Sequence, residues 1–217
     1  MKDNFDYSKT YWKITNESEI HKGMEYKTGL NTDILPFNND ESKSCVKGGL
    51  YFTDLENISK FFGYGVWARP ITIPENEVVI KDPENDKWRT HSFVMGEKIP
   101  KVKLVNMLPK EIGGWLDLRG CNLEGIVLPR KIGGWLNLSG CNLEGIVLPK
   151  EIGGGLNLSG CNLEGIVLPK KIGGWLDLRG CNLEGIVLPK EIGGGLDLRG
   201  CTNTDKLIIP QDTKVRR

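Results

Sequence analysis

The sequence predicts two architectures in one chain. A small α+β domain covers residues 1–104, and an all-β right-handed parallel β-solenoid of five 20-residue repeats covers 105–210, followed by a charged tail at 211–217. Three observations carry this reading. From Leu108 onward the sequence recurs every 20 residues, a period that belongs to solenoids. Each repeat holds short apolar/polar alternations such as Leu116-Asp117-Leu118, the periodicity of a strand. The first hundred residues show no repeat and are rich in aromatic side chains, as suits a compact mixed domain.

Composition narrows the classes of function. The 217 residues are 26 % charged and 39 % hydrophobic, an ordinary globular balance. Formal net charge is +1, and residues 108–207 carry 11 basic and 11 acidic groups. A neutral solenoid suits neither a clamp on nucleic acid nor a mimic of it, so no nucleic-acid partner is expected. No apolar run approaches the ~18 residues of a membrane span, so no membrane partner is expected either. The polar start Met1-Lys2-Asp3-Asn4-Phe5-Asp6 lacks the apolar core of a signal peptide. An intracellular, reducing compartment is the expectation.

In the first domain, a short helix is expected over Asp54–Phe62, stopped by Gly63. Strand-like segments run over Trp67–Ile73 and Val78–Ile80, and glycine turns sit at Lys22-Gly23 and Lys47-Gly48-Gly49. Tyr7, Tyr11, Trp12, Tyr26, Tyr51, Phe52, Phe61, Phe62, Tyr64, Trp67 and Trp88 supply most of its aromatic content. Several segments carry a family resemblance: Lys13-Ile14-Thr15-Asn16, Tyr26-Lys27-Thr28-Gly29-Leu30-Asn31, Gly48-Gly49-Leu50-Tyr51-Phe52-Thr53, Phe62-Gly63-Tyr64-Gly65 and Lys87-Trp88-Arg89. Over most of residues 10–100 the text resembles the domain that precedes ankyrin repeats in mimivirus-type giant-virus proteins. The resemblance implies a module placed before interchangeable binding arrays. It also implies the cytoplasm or virus factory of a host cell, or the virion, as the location. It implies no reaction.

An enzymatic alternative attaches to the same domain. His21-Lys22-Gly23 and Gly49-Leu50-Tyr51-Phe52 are similar to the NAD-holding segments of poly(ADP-ribose) polymerase-like transferases. In that family His and Gly are adjacent, whereas Lys22 intervenes here. None of Glu75, Glu77, Glu84 and Glu97 stands in a recognisable catalytic motif. Tyr51 and Phe52 also read as core strand aromatics. No cofactor and no enzymatic activity are expected.

Each repeat divides into fives, as in Leu116–Gly120, Cys121–Gly125, Ile126–Arg130 and Lys131–Trp135. In the first three, positions one and three are apolar and position five allows a corner, so four sides close one coil. Coils would stack about 4.8 Å apart through backbone hydrogen bonds. Leu-Asp-Leu-Arg-Gly and Cys-Asn-Leu-Glu-Gly resemble the units of pentapeptide-repeat proteins, although the fourth side puts glycine where an inward leucine belongs. Leu116, Leu118, Cys121 and Leu123 also fit a shortened leucine-rich repeat, the alternative solenoid.

Stacked coils turn identical residues into ladders. Cys121, Cys141, Cys161, Cys181 and Cys201 form one, expected to be buried structural thiols rather than disulfides. A straight row is not a tetrahedron, so no metal site is expected. Asn122, Asn142, Asn162 and Asn182 form a second, expected as a hydrogen-bonded amide ladder. Outward Asp117, Asp177 and Asp197 are each followed two residues later by arginine, while Asn137 and Asn157 are followed by serine. Trp115, Trp135 and Trp175 alternate with Gly155 and Gly195, either as lids on the core or as an aromatic stripe for a partner. Rows of like groups converge on no point, which argues against catalysis on the repeats. The function expected is non-enzymatic binding of a protein partner by the solenoid, with the first domain capping the array. Self-association as a structural or virion component is the rival.

Overall fold

The computed structural model describes residues 5–84 and 86–217. They form two compact units, one running to Lys101 and the other Val102–Arg217.

The first unit is built on antiparallel sheets. Strands Tyr11–Thr15, Trp67–Thr72, Ser92–Met95 and Gly29–Thr32 lie side by side in that order, with Ile99–Pro100 also paired to Trp67–Thr72. Leu50–Phe52, Trp88–Thr90 and Val79–Lys81 make a smaller sheet, joined to the first by a bridge between Trp12 and Thr53. Tyr11, Tyr26, Leu50, Phe52, Ile71, Phe93 and Met95 meet in the core, so the aromatic content is mainly packing. The helix expected over 54–62 is instead a 3-10 helix at Ile58–Tyr64. Asp54 accepts hydrogen bonds from the backbone and side chain of Asn57, holding the preceding residues as a turn. The seven residues that remain are too few to sustain an α-helix alone, and burial of Ile58 and Phe62 fixes them.

A segment without regular structure, residues 33–49, is held from inside. Asp33 Oδ2 accepts from Gly49 N at 2.6 Å and Asn38 N donates to Gly48 O at 2.8 Å, closing the loop. Arg89, fully buried, fills it, donating to the carbonyls of Asn38, Asp40 and Lys43. A second buried cation, Arg69, grips Glu19 with two bonds of 2.6 Å and also donates to Thr28 and Gly96.

The second unit is a parallel β-solenoid with 20 residues per coil. Glu111–Ile112, Lys131–Ile132, Glu151–Ile152, Lys171–Ile172 and Glu191–Ile192 stack as one wall. Leu116–Asp117, Leu136–Asn137, Leu156–Asn157, Leu176–Asp177 and Gly195–Asp197 stack as another. The two remaining sides are turns. Cys121 N returns to Leu118 O and Ile126 N to Leu123 O, with Gly120 and Gly125 at φ +63° and +70° as the third residue of each turn. That backbone state favours glycine. The Gly-Gly pair answers a different demand: a Cβ on Gly133 would stand 2.6 Å from Gly113 O, because the backbones of successive coils touch there. Glycine in place of the inward leucine is therefore a consequence of close stacking.

Inside, Leu116, Leu118, Leu123 and their 20-residue counterparts are buried. Residues 211–217, expected as a charged tail, include the strand Lys214–Arg216, which adds a sixth member to the second wall with Val215 beside Leu196. Upstream, the Asn106 side chain acts as a substitute peptide, donating to Gly125 O at 3.0 Å and accepting from Val127 N at 2.8 Å.

Candidate functional site

Three surfaces of the solenoid hold the residues singled out by the sequence. Cys141, Cys161 and Cys181 are buried, and each Sγ donates to the carbonyl of a leucine in the preceding coil at 3.0–3.2 Å. Cys201 does the same to Leu178 at 2.9 Å, and Cys121 is half-buried. Among the described residues all six cysteines are free thiols. Burial pushes Cys141 and Cys181 up to about 11. A thiol so placed is neutral and a weak nucleophile, which is the state of a packing residue.

The amide row differs from its expectation. The Oδ1 atoms of Asn122, Asn142, Asn162 and Asn182 each accept from the backbone N of the glutamate two residues on, at 3.0–3.1 Å. Their partners thus lie within their own coil. Among the described residues, only at Asn182 does a neighbouring coil reach the row, through Asn203 Nδ2 at 2.7 Å and Thr202 Oγ1 at 3.4 Å. An Asx turn needs no adjacent coil, and here it outcompetes the ladder.

Trp115 and Trp135 are 51 % and 48 % exposed and flank a shallow groove with Asp117, Asn137 and Asn157. Trp175 is half-buried beneath the guanidinium of Arg216, 4.4 Å from its ring centroid. The three tryptophans therefore do not form one continuous stripe. Asp117 is gripped by Arg119, with a shortest bond of 2.6 Å, whereas Asn137 turns Oδ1 to Ser139 N at 3.1 Å.

A more extended apolar feature lies on the Ile-Val-Leu side. The outward residues Val127, Val147, Val167, Val187 and Ile208 are 75, 83, 83, 80 and 89 % exposed. Exposed Glu124, Glu144, Glu164 and Glu184 stand three residues before the valines, and exposed Arg130, Lys150, Lys170 and Lys190 three residues after. The middle position of Ile126-Val127-Leu128, read as strand alternation, points outward and was the available signal.

The first unit contains a cleft of about 330 Å³ between the strand Tyr11–Thr15, the hairpin at His21 and Lys22, the strand Leu50–Phe52 and the 3-10 helix. His21, Tyr51 and Phe52 line it together, while none of Glu75, Glu77, Glu84 and Glu97 does. A transferase reading thus finds its histidine and tyrosine in one place without a candidate carboxylate among them. Nearby, Asp82, Glu84 and Asp86 gather around Lys87 Nζ at 3.0–3.4 Å. The lysine ammonium already sits among these three carboxylates where a metal ion would.

The chain has relatives among mimivirus proteins. Two proteins of Acanthamoeba polyphaga mimivirus whose names describe ankyrin repeats are 37 % and 33 % identical over 94 and 113 residues. These stretches cover 42 % and 46 % of this chain, and 47 % and 36 % of the relatives. An uncharacterized protein of the same virus is 42 % identical over 66 residues, 30 % of this chain and 48 % of its own. The chain thus spans less than half the length of these relatives. No protein-family model and no solved structure matches it. Whatever ankyrin repeats those names record, residues 111–216 here wind as β coils. Among the described residues no helix is long and apolar enough to cross a membrane.

Proposed function

We propose that this is a non-enzymatic viral repeat protein whose solenoid binds a protein partner in the infected cell. The apolar row Val127, Val147, Val167, Val187 and Ile208 carries the reading. Aligned apolar side chains exposed to this degree mark an interaction surface more often than isolated ones do. Trp115 and Trp135 add an aromatic patch of the kind that contributes strongly at interfaces. The relatives named for repeats support a binding role. The test is quantitative affinity capture from infected cells, comparing wild type, a Val147→Asp/Val167→Asp variant and a Trp115→Gly/Trp135→Gly variant. A partner retained by wild type and lost from at least one variant supports the proposal. Identical recovery by all three overturns it.

A second reading, self-association, is favoured by the charge rows beside the valines. Take two copies lying parallel and related by a twofold axis along the coil stack. The glutamate row of each would face the lysine row of the other, with the valines between them. An antiparallel pair would oppose like charges. Sedimentation of wild type at high concentration decides: a dimer dispersed by Val147→Asp/Val167→Asp supports this reading, and a monomer throughout removes it.

A further inference from the structure

We propose that the cleft of the first unit binds a nucleoside monophosphate, a phosphate ester carried on a flat ring. This is independent of what the solenoid binds. At about 330 Å³ the cleft lies at the small end of the ~300–1,000 Å³ usual for ligand sites. Its lining includes Lys13, His21, Lys22 and Lys87 and no aspartate or glutamate. Lys87 is already neutralised by Asp82, Glu84 and Asp86, so the available positive charge at neutral pH rests on Lys13 and Lys22.

Lys13 is the decisive group. It projects from the strand Tyr11–Thr15, half-buried, and its Nζ donates to Tyr51 O at 2.8 Å while standing 4.6 Å from the Tyr26 ring centroid. An ammonium has three donors, and a carbonyl with a ring is incomplete compensation for removing it from water. Among the described residues no carboxylate lies within ion-pair distance of Lys13, whereas Arg69 pairs with Glu19 and Lys87 with three carboxylates. A phosphate in the cleft supplies the missing counter-charge. At the rim, Lys22 adopts φ +50°, uncommon for a residue with a side chain, and follows Glu19 at +56° in the same hairpin. Phe61 and the exposed Tyr64, with ring centroids 6.1 Å apart, offer faces for a base to stack on.

The same environment predicts a pH signature. Burial lowers Lys13 to about 8, only partly opposed by Asp33, and burial with Lys13 and Lys22 also lowers His21. Lys22, Tyr26, Cys45, Tyr51, Tyr64 and Lys87 are the other titratable groups of the cleft. An anion favours the charged ammonium, so binding takes up protons and weakens as pH rises through about 8.

Calorimetric titration of the full chain with the four ribonucleoside monophosphates, adenosine and inorganic phosphate tests this. At least one nucleotide is expected to bind with Kd below about 1 mM, and about 10-fold or more tighter than adenosine or phosphate. Its affinity should be roughly 5-fold lower at pH 9 than at pH 7. Lys13→Gln should weaken it about 10-fold or more, and the surface changes Lys22→Gln and Tyr64→Ala several-fold, which guards against a Lys13 variant that fails to fold. No nucleotide binding by wild type overturns the proposal, as does unchanged affinity in both Lys22→Gln and Tyr64→Ala. Phosphate alone binding as tightly as any nucleotide removes the ring from it.

Discussion

The ring of Trp135 rests on Gly155 of the following coil: a Cβ added at Gly155 would stand 2.6 Å from Trp135 Cζ3. Trp175 stands in the same relation to Gly195, at 2.8 Å from Cη2. The tryptophan of one coil occupies space left open by the glycine of the next. Gly155→Ala should therefore destabilise the solenoid by about 1–3 kcal/mol, the usual range for overpacking. Combining it with Trp135→Gly should recover much of that loss, because the clash is removed. Chemical denaturation of both singles and the double checks the coupling; additive effects would show that the ring does not need the glycine.

The thiol row predicts a reactivity order. Cys45 is exposed, Cys121 and Cys201 are half-buried, and Cys141, Cys161 and Cys181 are buried against backbone carbonyls. A thiol reagent at pH 8 should label Cys45 first and leave the three buried sulfurs until the coil opens. Their raised values also fix a sign. The unfolded thiols ionise near 9 while Cys141 and Cys181 hold their protons to about 11. Stability from these groups is intact below pH 9 and declines between about 9 and 11. Melting temperature against pH should fall over that window, and less steeply in Cys141→Ala/Cys181→Ala.

The first unit should weaken at the opposite end of the scale. Arg69 holds Glu19 down to about 2 through its paired hydrogen bonds, with Thr15 and Lys98 assisting. A depressed carboxyl contributes stability above its unfolded value of about 4.5, and that contribution disappears as pH falls towards 2. Glu19→Gln leaves Arg69 buried with one partner gone, a loss of about 3–5 kcal/mol where a buried pair is broken. Unfolding followed by Trp67 and Trp88 fluorescence should show a flatter acid limb in this variant than in wild type.

The repeat period was legible because it is written in residue identity, and the inward leucines followed from alternation alone. Local competition was not legible. Nothing in the spacing of Asn122, Asn142, Asn162 and Asn182 says whether an amide bonds along the stack or back to its own coil, and the shorter connection prevails. The outward direction of the valines was legible in the Ile-Val-Leu alternation, but how far they stand in solvent was not. The charges of Glu111, Lys131, Glu151, Lys171 and Glu191 do alternate in the text, and stacking turns them into pairs such as Lys131–Glu151 at 2.9 Å and Lys171–Glu191 at 2.6 Å. In the first unit the cleft depends on residues from 12 to 87 meeting through antiparallel pairing. No local pattern announces that, nor that Arg89 would fill the 33–49 loop.

That alternation of sign gives the array a hidden grammar. Inserting a single coil would set two glutamates or two lysines one above the other, whereas inserting a matched pair keeps the alternation of sign along this wall. Tandem duplication is thus least disruptive in even increments, a forty-residue module carrying both polarities, and lineages that lengthen or shorten this wall should do so two rungs at a time.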